Sequence, residues 1–173
     1  MKIVSPDILH KSDVGGVMLN VTADDIKEKY QQMMETVSKN KPDADLKGVY
    51  LMEMAPQGIE LILGATKDPN LGHSIMFGLG GIYVNFLKDV AFRLAPMNER
   101  EAQEMMEETK SYTLLKGVRG EVPSDIDAIR EAILRVGHLV WDFPELKDLD
   151  INPIFVYGEG KGVSALDVKI TLS

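Results

Sequence analysis

LDINPIFVY-GEGKG-VSALDVKITL, residues 149–172, reads as two strands joined by a glycine-rich turn, with apolar and β-branched arms on either side of Gly158-Glu159-Gly160-Lys161-Gly162. If the turn is symmetric about the Glu159-Gly160 bond, residues whose numbers add to 319 face one another, which sets Asn152 opposite Asp167 and Asp150 opposite Lys169. Side chains alternate along a strand with period two, and directly opposed Cβ atoms lie about 5 Å apart, so all four point to one side. Two carboxylates and an amide oxygen then converge on a small volume. Hard oxygen donors of this kind suit Mg²⁺, which takes few protein ligands and leaves the rest to water and phosphates. The same pattern also describes a solvated hairpin face on which Asp150 pairs with Lys169. A register slip of one residue disperses the set.

Outward from the hairpin, Ser124 to Asp142 predicts a helix, with Ile126, Ile129, Ile133, Val136 and Val140 at helical spacing behind an N-cap at Ser124. Glu99 to Leu115 predicts another. Strands are expected at Val90 to Leu94 and Ser74 to Phe77, the latter leading into Gly78-Leu79-Gly80-Gly81. Gly48 to Ala55 and Ile59 to Ala65, divided by Pro56-Gln57-Gly58, read as a hairpin. Thr22 to Lys39 predicts a helix capped by Thr22, with Ile26, Tyr30, Met33, Met34 and Val37 on one stripe. Met1 to Val4 is a short strand with nothing before it to pair with. Strands mixed with helices in this order predict an α/β fold of the mixed α+β kind with mainly antiparallel sheet, because parallel neighbours need a crossover.

The chain has 173 residues, 45% hydrophobic and 27% charged, enough for one domain or two small lobes and too ordered in composition for a disordered chain. Its 19 Lys and Arg against 27 Asp and Glu give a net charge of −8, which disfavours nucleic acid and anionic membrane surfaces as partners. With no cysteine, disulfides, thiolate metal sites and cysteine nucleophiles are excluded, and a reducing cytoplasm fits. No apolar run approaches the roughly 20 residues that span a bilayer.

Other constellations are less specific. The run Gly78-Leu79-Gly80-Gly81 suits either an anion approached by backbone N–H groups or a strand exit. It lacks the dinucleotide pattern, since Tyr83 stands where a third glycine belongs, and Gly160-Lys161-Gly162 is not a P-loop. Asp13-Val14-Gly15-Gly16 has the same two readings. His138 is expected as a half-buried packing residue and His73 as a solvated turn residue. His10 has a cation, a hydroxyl and a carboxylate beside it in Lys11, Ser12 and Asp13, company that suits either a nucleophilic imidazole or an ordinary surface loop.

Lys2-Ile3-Val4-Ser5-Pro6-Asp7-Ile8-Leu9-His10-Lys11-Ser12-Asp13-Val14-Gly15-Gly16-Val17, Gly58-Ile59-Glu60-Leu61-Ile62-Leu63-Gly64, Met76-Phe77-Gly78-Leu79-Gly80-Gly81-Ile82 and Asp150-Ile151-Asn152-Pro153 together resemble the ATP-grasp domain of ADP-forming acyl-CoA synthetases, the acetyl-CoA synthetase β-subunit type related to succinyl-CoA synthetase. The resemblance runs in order over the whole chain. It implies an ATP-grasp fold and a reversible reaction in which acyl-CoA, ADP and phosphate give acid, CoA and ATP through an acyl phosphate and a phosphohistidine. It implies ATP or ADP and Mg²⁺ as cofactors. It also implies a partner, a CoA-binding α subunit or domain that carries the first phosphohistidine, in a cytoplasmic hetero-oligomer.

Carried over by residue, Lys2 matches the strand lysine on the nucleotide phosphates, Glu53 and Met54 the hinge that lines the adenine, and Glu60 a nucleotide-binding glutamate. Gly15 and Gly16 are counted with the nucleotide-binding residues. Asn152 and Asp167 match the metal ligands, with Asp150 beside them, and His10 matches a second phosphorylatable histidine. The sequence departs from the family in three places: the small lobe ahead of the lysine strand is absent, so that 1–173 reads as a partial domain, Asn85 stands where glutamate is expected, and His73 replaces a proline. A non-catalytic nucleotide-binding or regulatory module, such as those fused in larger synthetase-like proteins or protein acetyltransferases, is the alternative.

Overall fold

The computed structural model describes residues 1–80, 89–118, 120 and 122–173. Gly81, Ile82, Tyr83 and Asn85 therefore lie outside the described residues. The described chain forms two compact units, Met1–Ala55 and Pro56–Ser173.

The first unit holds β1 (Lys2–Val4), a 3-10 turn (Ser12–Val14), α1 (Ile26–Asn40) and β2 (Gly48–Tyr50). β1 and β2 pair antiparallel, Ile3 facing Val49. The first strand thus has a partner that the sequence reading did not give it. Its other edge is closed locally, because Ile3 N–H donates to Gly16 O at 2.8 Å and Met18 N–H to Met1 O at 2.9 Å. Met33 and Val37 of α1 are buried with Met1, Ile3, Ile8 and Val14, while Tyr30, expected on the buried stripe, is 40% exposed. The helix begins later than Thr22 because Thr22 N–H donates to the Asp25 carboxylate at 2.7 Å, an i to i+3 contact that makes residues 22–25 a turn.

Among the described residues the second unit is a sheet of six strands with helices on one face. Its members are β3 (Ile59–Asp68), β4 (Gly72–Leu79), β5 (Val90–Leu94), α2 (Glu99–Glu107), α3 (Ser111–Leu115), α4 (Ile126–Asp142), β6 (Leu146–Val156), β7 (Val163–Ala165) and β8 (Val168–Leu172). The order is β5-β4-β3-β6-β7, with β8 also on β6, and all ladders between the described strands are antiparallel. Leu61, Leu63, Ile75, Phe77, Leu149, Ile154 and Val156 point to the helix side, where Ala102, Met105, Met106, Ile129, Ile133 and Val140 cover them. The α/β architecture with antiparallel pairing is the expected one. Among the described residues no helix is long and apolar enough to cross a membrane.

Two sequence expectations fail here for physical reasons. The hairpin across Pro56-Gln57-Gly58 does not form, since β2 pairs with β1 and both edges of β3 are taken by β4 and β6. The helix expected over Glu99 to Leu115 is broken in two. The break is held from a distance: the buried Asp89 carboxylate accepts from Lys110 N–H (2.7 Å) and Ser111 N–H (2.8 Å), satisfying amides at the start of α3. Asn98 and Glu101 close a reciprocal capping box at the start of α2.

Asp125, rather than Ser124, caps α4, and it does a second task. One carboxylate oxygen accepts from Ala128 N–H at 3.0 Å and the other from Gly162 N–H at 2.8 Å, so the start of the helix is tied to the turn of the terminal hairpin. Asp125→Ala is expected to cost about 2 kcal/mol, a cap plus a charged hydrogen bond, read as a lowered midpoint in urea with an unchanged slope. An unchanged midpoint removes Asp125 from the support of the hairpin.

The Arg93 guanidinium pairs with both oxygens of Glu108 at the end of α2. Hydrogen bonding to Arg93, with its charge, holds the Glu108 carboxyl below the usual glutamate range and raises Arg93. A lowered carboxylate adds stability that is present above its unfolded pKa and is lost as pH falls through the lowered folded value. The stability difference between the unaltered chain and Glu108→Gln should therefore be present at neutral pH and vanish in acid. A difference that persists unchanged at acid pH removes the ion pair as its cause.

Candidate functional site

The terminal hairpin has the register that its turn symmetry implies. Asp150 faces Lys169, Ile151 faces Val168 and Ile154 faces Ala165. Asn152 N–H donates to Asp167 O at 3.0 Å. The turn is built as the glycines require: Tyr157 N–H donates to Gly162 O at 3.1 Å, and Gly160 and Gly162 have φ of 73° and 75°. The second arm is interrupted at Leu166 and Asp167, so it forms two short strands, β7 and β8, instead of one.

Against β3 the register shifts by one, and this the sequence did not announce. Leu61 faces Ile154 and Leu63 faces Ile151, so Asn152 and Pro153 together stand opposite Ile62 alone. That is a β-bulge, at a residue that has no N–H for the ladder. Its consequence is parity. Strict alternation puts Ile154 on the face of Asp150 and Asn152, whereas the bulge returns Ile154 to the core, where it is 3% exposed, and leaves the polar pair on the face away from the helices.

That face collects Glu60, Asp150, Asn152 and Asp167 of the sequence-derived candidates. Asp150 and Asp167 are exposed and Asn152 is half-buried. Glu60, also exposed, lies on the same face two strand positions along, opposite Phe155. Asp150, Asn152, Asp167 and Lys2 each have interactions of their own within the protein. Two carboxylates and an amide on neighbouring cross-strand positions are a donor set that fits a hard divalent cation. Gly64, between Met76 and Asp150 in the same cross-strand row, keeps the sheet surface low there, and a Cβ on it would lie 3.0 Å from Leu149 O.

The other candidates belong to the first unit. Lys2 is half-buried on β1 opposite Tyr50. His10 is exposed at the tip of a loop whose ends are stapled. Ile8 (4% exposed) and Val14 (8%) anchor it, Asp7 accepts from Asp45 N–H at 2.8 Å, and Asn40 donates to Val14 O at 3.1 Å. Gly15 and Gly16 shape this loop: their N–H groups donate to Ser12 O and Lys11 O, Gly15 has φ of 75°, and a Cβ on Gly16 would lie 2.4 Å from Ile3 Cγ2. These amides are used inside the loop and are not open to an anion. Glu53 and Met54 are exposed, in residues 51–58 outside any strand or helix, immediately before the boundary between units at Ala55.

The described part of the glycine run, Gly78 to Gly80, closes β4 as a strand exit. Leu79 N–H donates to Asp89 O and Gly80 N–H to Glu60 O, and Cβ atoms on Gly78 and Gly80 would lie 2.1 and 2.5 Å from neighbouring backbone. Two histidines also differ from expectation. His73 is buried, its Nε2 2.7 Å from Leu146 O, because it sits on the helix-side face of β4 and not in the turn. His138 is exposed, one position off the buried stripe of α4.

Comparison with known proteins agrees over the full length. The sequence model of the ATP-grasp domain family matches residues 1–172. The chain is 47% identical over 174 residues to the β subunit of ADP-forming acetate–CoA ligase II of Pyrococcus furiosus, covering 99% of this chain and 74% of that subunit. It is 48% identical to ADP-forming acetate–CoA ligase I of Archaeoglobus fulgidus, covering 94% of this chain and 24% of that longer protein. The acetyl-coenzyme A synthetase 1 of Ca. Korarchaeum cryptofilum, solved with coenzyme A and Mg-AMPPCP and with its phosphohistidine segment pointing towards the nucleotide binding site, superposes with a TM-score of 0.83 at 39% identity, over all of this chain and 75% of that one.

Proposed function

The chain belongs to the ATP-grasp family, among the β subunits of ADP-forming acetate–CoA ligases, and from that premise we propose that it is the nucleotide-binding part of an ADP-forming acyl-CoA synthetase. In this reading acyl-CoA, ADP and phosphate give acid, CoA and ATP, with phosphate carried on histidine. The observation that carries it is the hairpin register, in which Asn152 N–H donates across to Asp167 O beside Asp150, on the sheet face away from the described helices.

Asn152 and Asp167 hold Mg²⁺, with Asp150 beside them. The ion supplies charge neutralisation at the nucleotide's phosphates. Lys2 contacts the phosphates, Glu60 the nucleotide, and Glu53 and Met54 the adenine. His10 takes a phosphoryl group from the partner's first phosphohistidine, one P–N bond breaking there as another forms at His10, and passes it to ADP: that P–N bond breaks, a P–O bond forms at the terminal oxygen of ADP, and the imidazole is returned. Transfer of this kind asks mainly for positioning and charge compensation, and a stapled loop meets the first need. The partner is a CoA-binding α subunit or domain that carries the first phosphohistidine. Residues 1–173 then belong to one ATP-grasp domain whose Gly15 and Gly16 act through loop shape.

The test is incubation with Mg-ATP labelled in its terminal phosphate, with the CoA-binding partner present. Acid-labile, base-stable label on the chain supports the synthetase. Nucleotide binding without label supports a regulatory module instead, and no binding at all ends both readings.

A further inference from the structure

The sheet face that carries Asp150 is strongly unbalanced in charge. Among the described ladder-paired residues on that face, Glu60, Asp148 and Asp150 are carboxylates, Asp167 joins them through its backbone bond to Asn152, and Asp68 is occupied by the amides of Asn70 and Leu71. The one ladder-paired cation of the described residues on that face is Lys169. Arg93 belongs to the helix-side face, where it pairs with Glu108, and Lys67 donates to Pro144 O. A nucleotide's phosphate tail brings three or four negative charges to such a surface, and a single divalent ion offsets two. A cation close to the ion's ligands is therefore needed, and among the described ladder-paired residues of this face Lys169 is the one that supplies it.

We propose that Lys169 is a phosphate-binding residue of the nucleotide site, its ammonium lying beside the Asn152 and Asp167 pair and meeting the tail beyond the α-phosphate. This rests on the nucleotide reading above. Lys169 stands directly opposite Asp150, two register positions from the Asn152 and Asp167 pair and its neighbour on the same sheet face, and is exposed. Its flexible stem suits a compact charge that must follow a phosphate. It sits on strand β8 rather than on a loop, so its Cα is held by the ladder to β6.

The test is a titration of the full chain, unaltered and as Lys169→Gln and Lys169→Arg, with Mg-ATP, Mg-ADP and AMP by calorimetry, alongside thermal unfolding without ligand. Loss of a charge-assisted contact predicts roughly tenfold weaker binding of Mg-ATP and Mg-ADP by Lys169→Gln. AMP affinity and melting temperature stay unchanged, and Lys169→Arg recovers most of the loss. Equal weakening for AMP and ATP, or no weakening, overturns the role of Lys169 while the unaltered chain still binds. Failure of the unaltered chain to bind Mg-ADP overturns the nucleotide reading, and this inference with it.

Discussion

Replacing His10 by alanine removes acid-labile label from the chain, by at least roughly a thousandfold in rate, while Mg-nucleotide affinity changes little. The expectation follows from how the loop is made. Its fixed points are Ile8, Val14, the Asp7 to Asp45 and Asn40 to Val14 hydrogen bonds, and the backbone closure at Gly15 and Gly16, none of which uses the imidazole. His10 is exposed, so its removal leaves no cavity, and the folded state should lose no more than about 0.5 kcal/mol. Mapping of the label by partial alkaline hydrolysis and mass spectrometry, with a thermal melt of the same sample, checks both halves. Label that persists on another residue in His10→Ala takes the nucleophile away from this loop.

Removing the metal ligands has an effect of the other kind. Asn152→Ala and Asp167→Ala should each weaken Mg-ADP binding by at least roughly a hundredfold, and the double variant by little more than either one, because both act through a single ion. Asp150→Asn should cost less, since Asp150 lies two register positions away, opposite Lys169. Binding measured across a Mg²⁺ series separates lost metal affinity from lost folding: excess Mg²⁺ partly restores the single variants if the ion is the missing contact. Full affinity in Asn152→Ala shows that the hairpin face is only a solvated surface.

The hairpin register was legible because a glycine turn with its own symmetry sets pairing over the whole ribbon, and the expected oppositions of Asp150 with Lys169 and Asn152 with Asp167 follow from local chemistry alone. The amphipathic stripe of α4 was legible for a similar reason: Ile129, Ile133, Val136 and Val140 recur at helical spacing and all are buried. The His10 loop was visible as a motif but not as a structure. Its staples come from Asn40 and Asp45, far along the chain, and nothing in residues 8–13 encodes them.

What the amino-acid order determined by itself was periodicity and turn chemistry, hence the α/β class, the helix of residues 126–142 and the terminal ribbon with its row of oxygen donors. What only the tertiary structure decided was which strands compete for which edge and where a ladder must slip. β2 goes to β1 rather than β3, Asp89 breaks a helix that begins ten residues later, and the bulge at Asn152-Pro153 sends Ile154 into the core while its polar neighbours stay outside. These outcomes depend on burial and on satisfying backbone groups across long sequence separations. Their energies exist only once distant segments are side by side, so a local reading has no access to them.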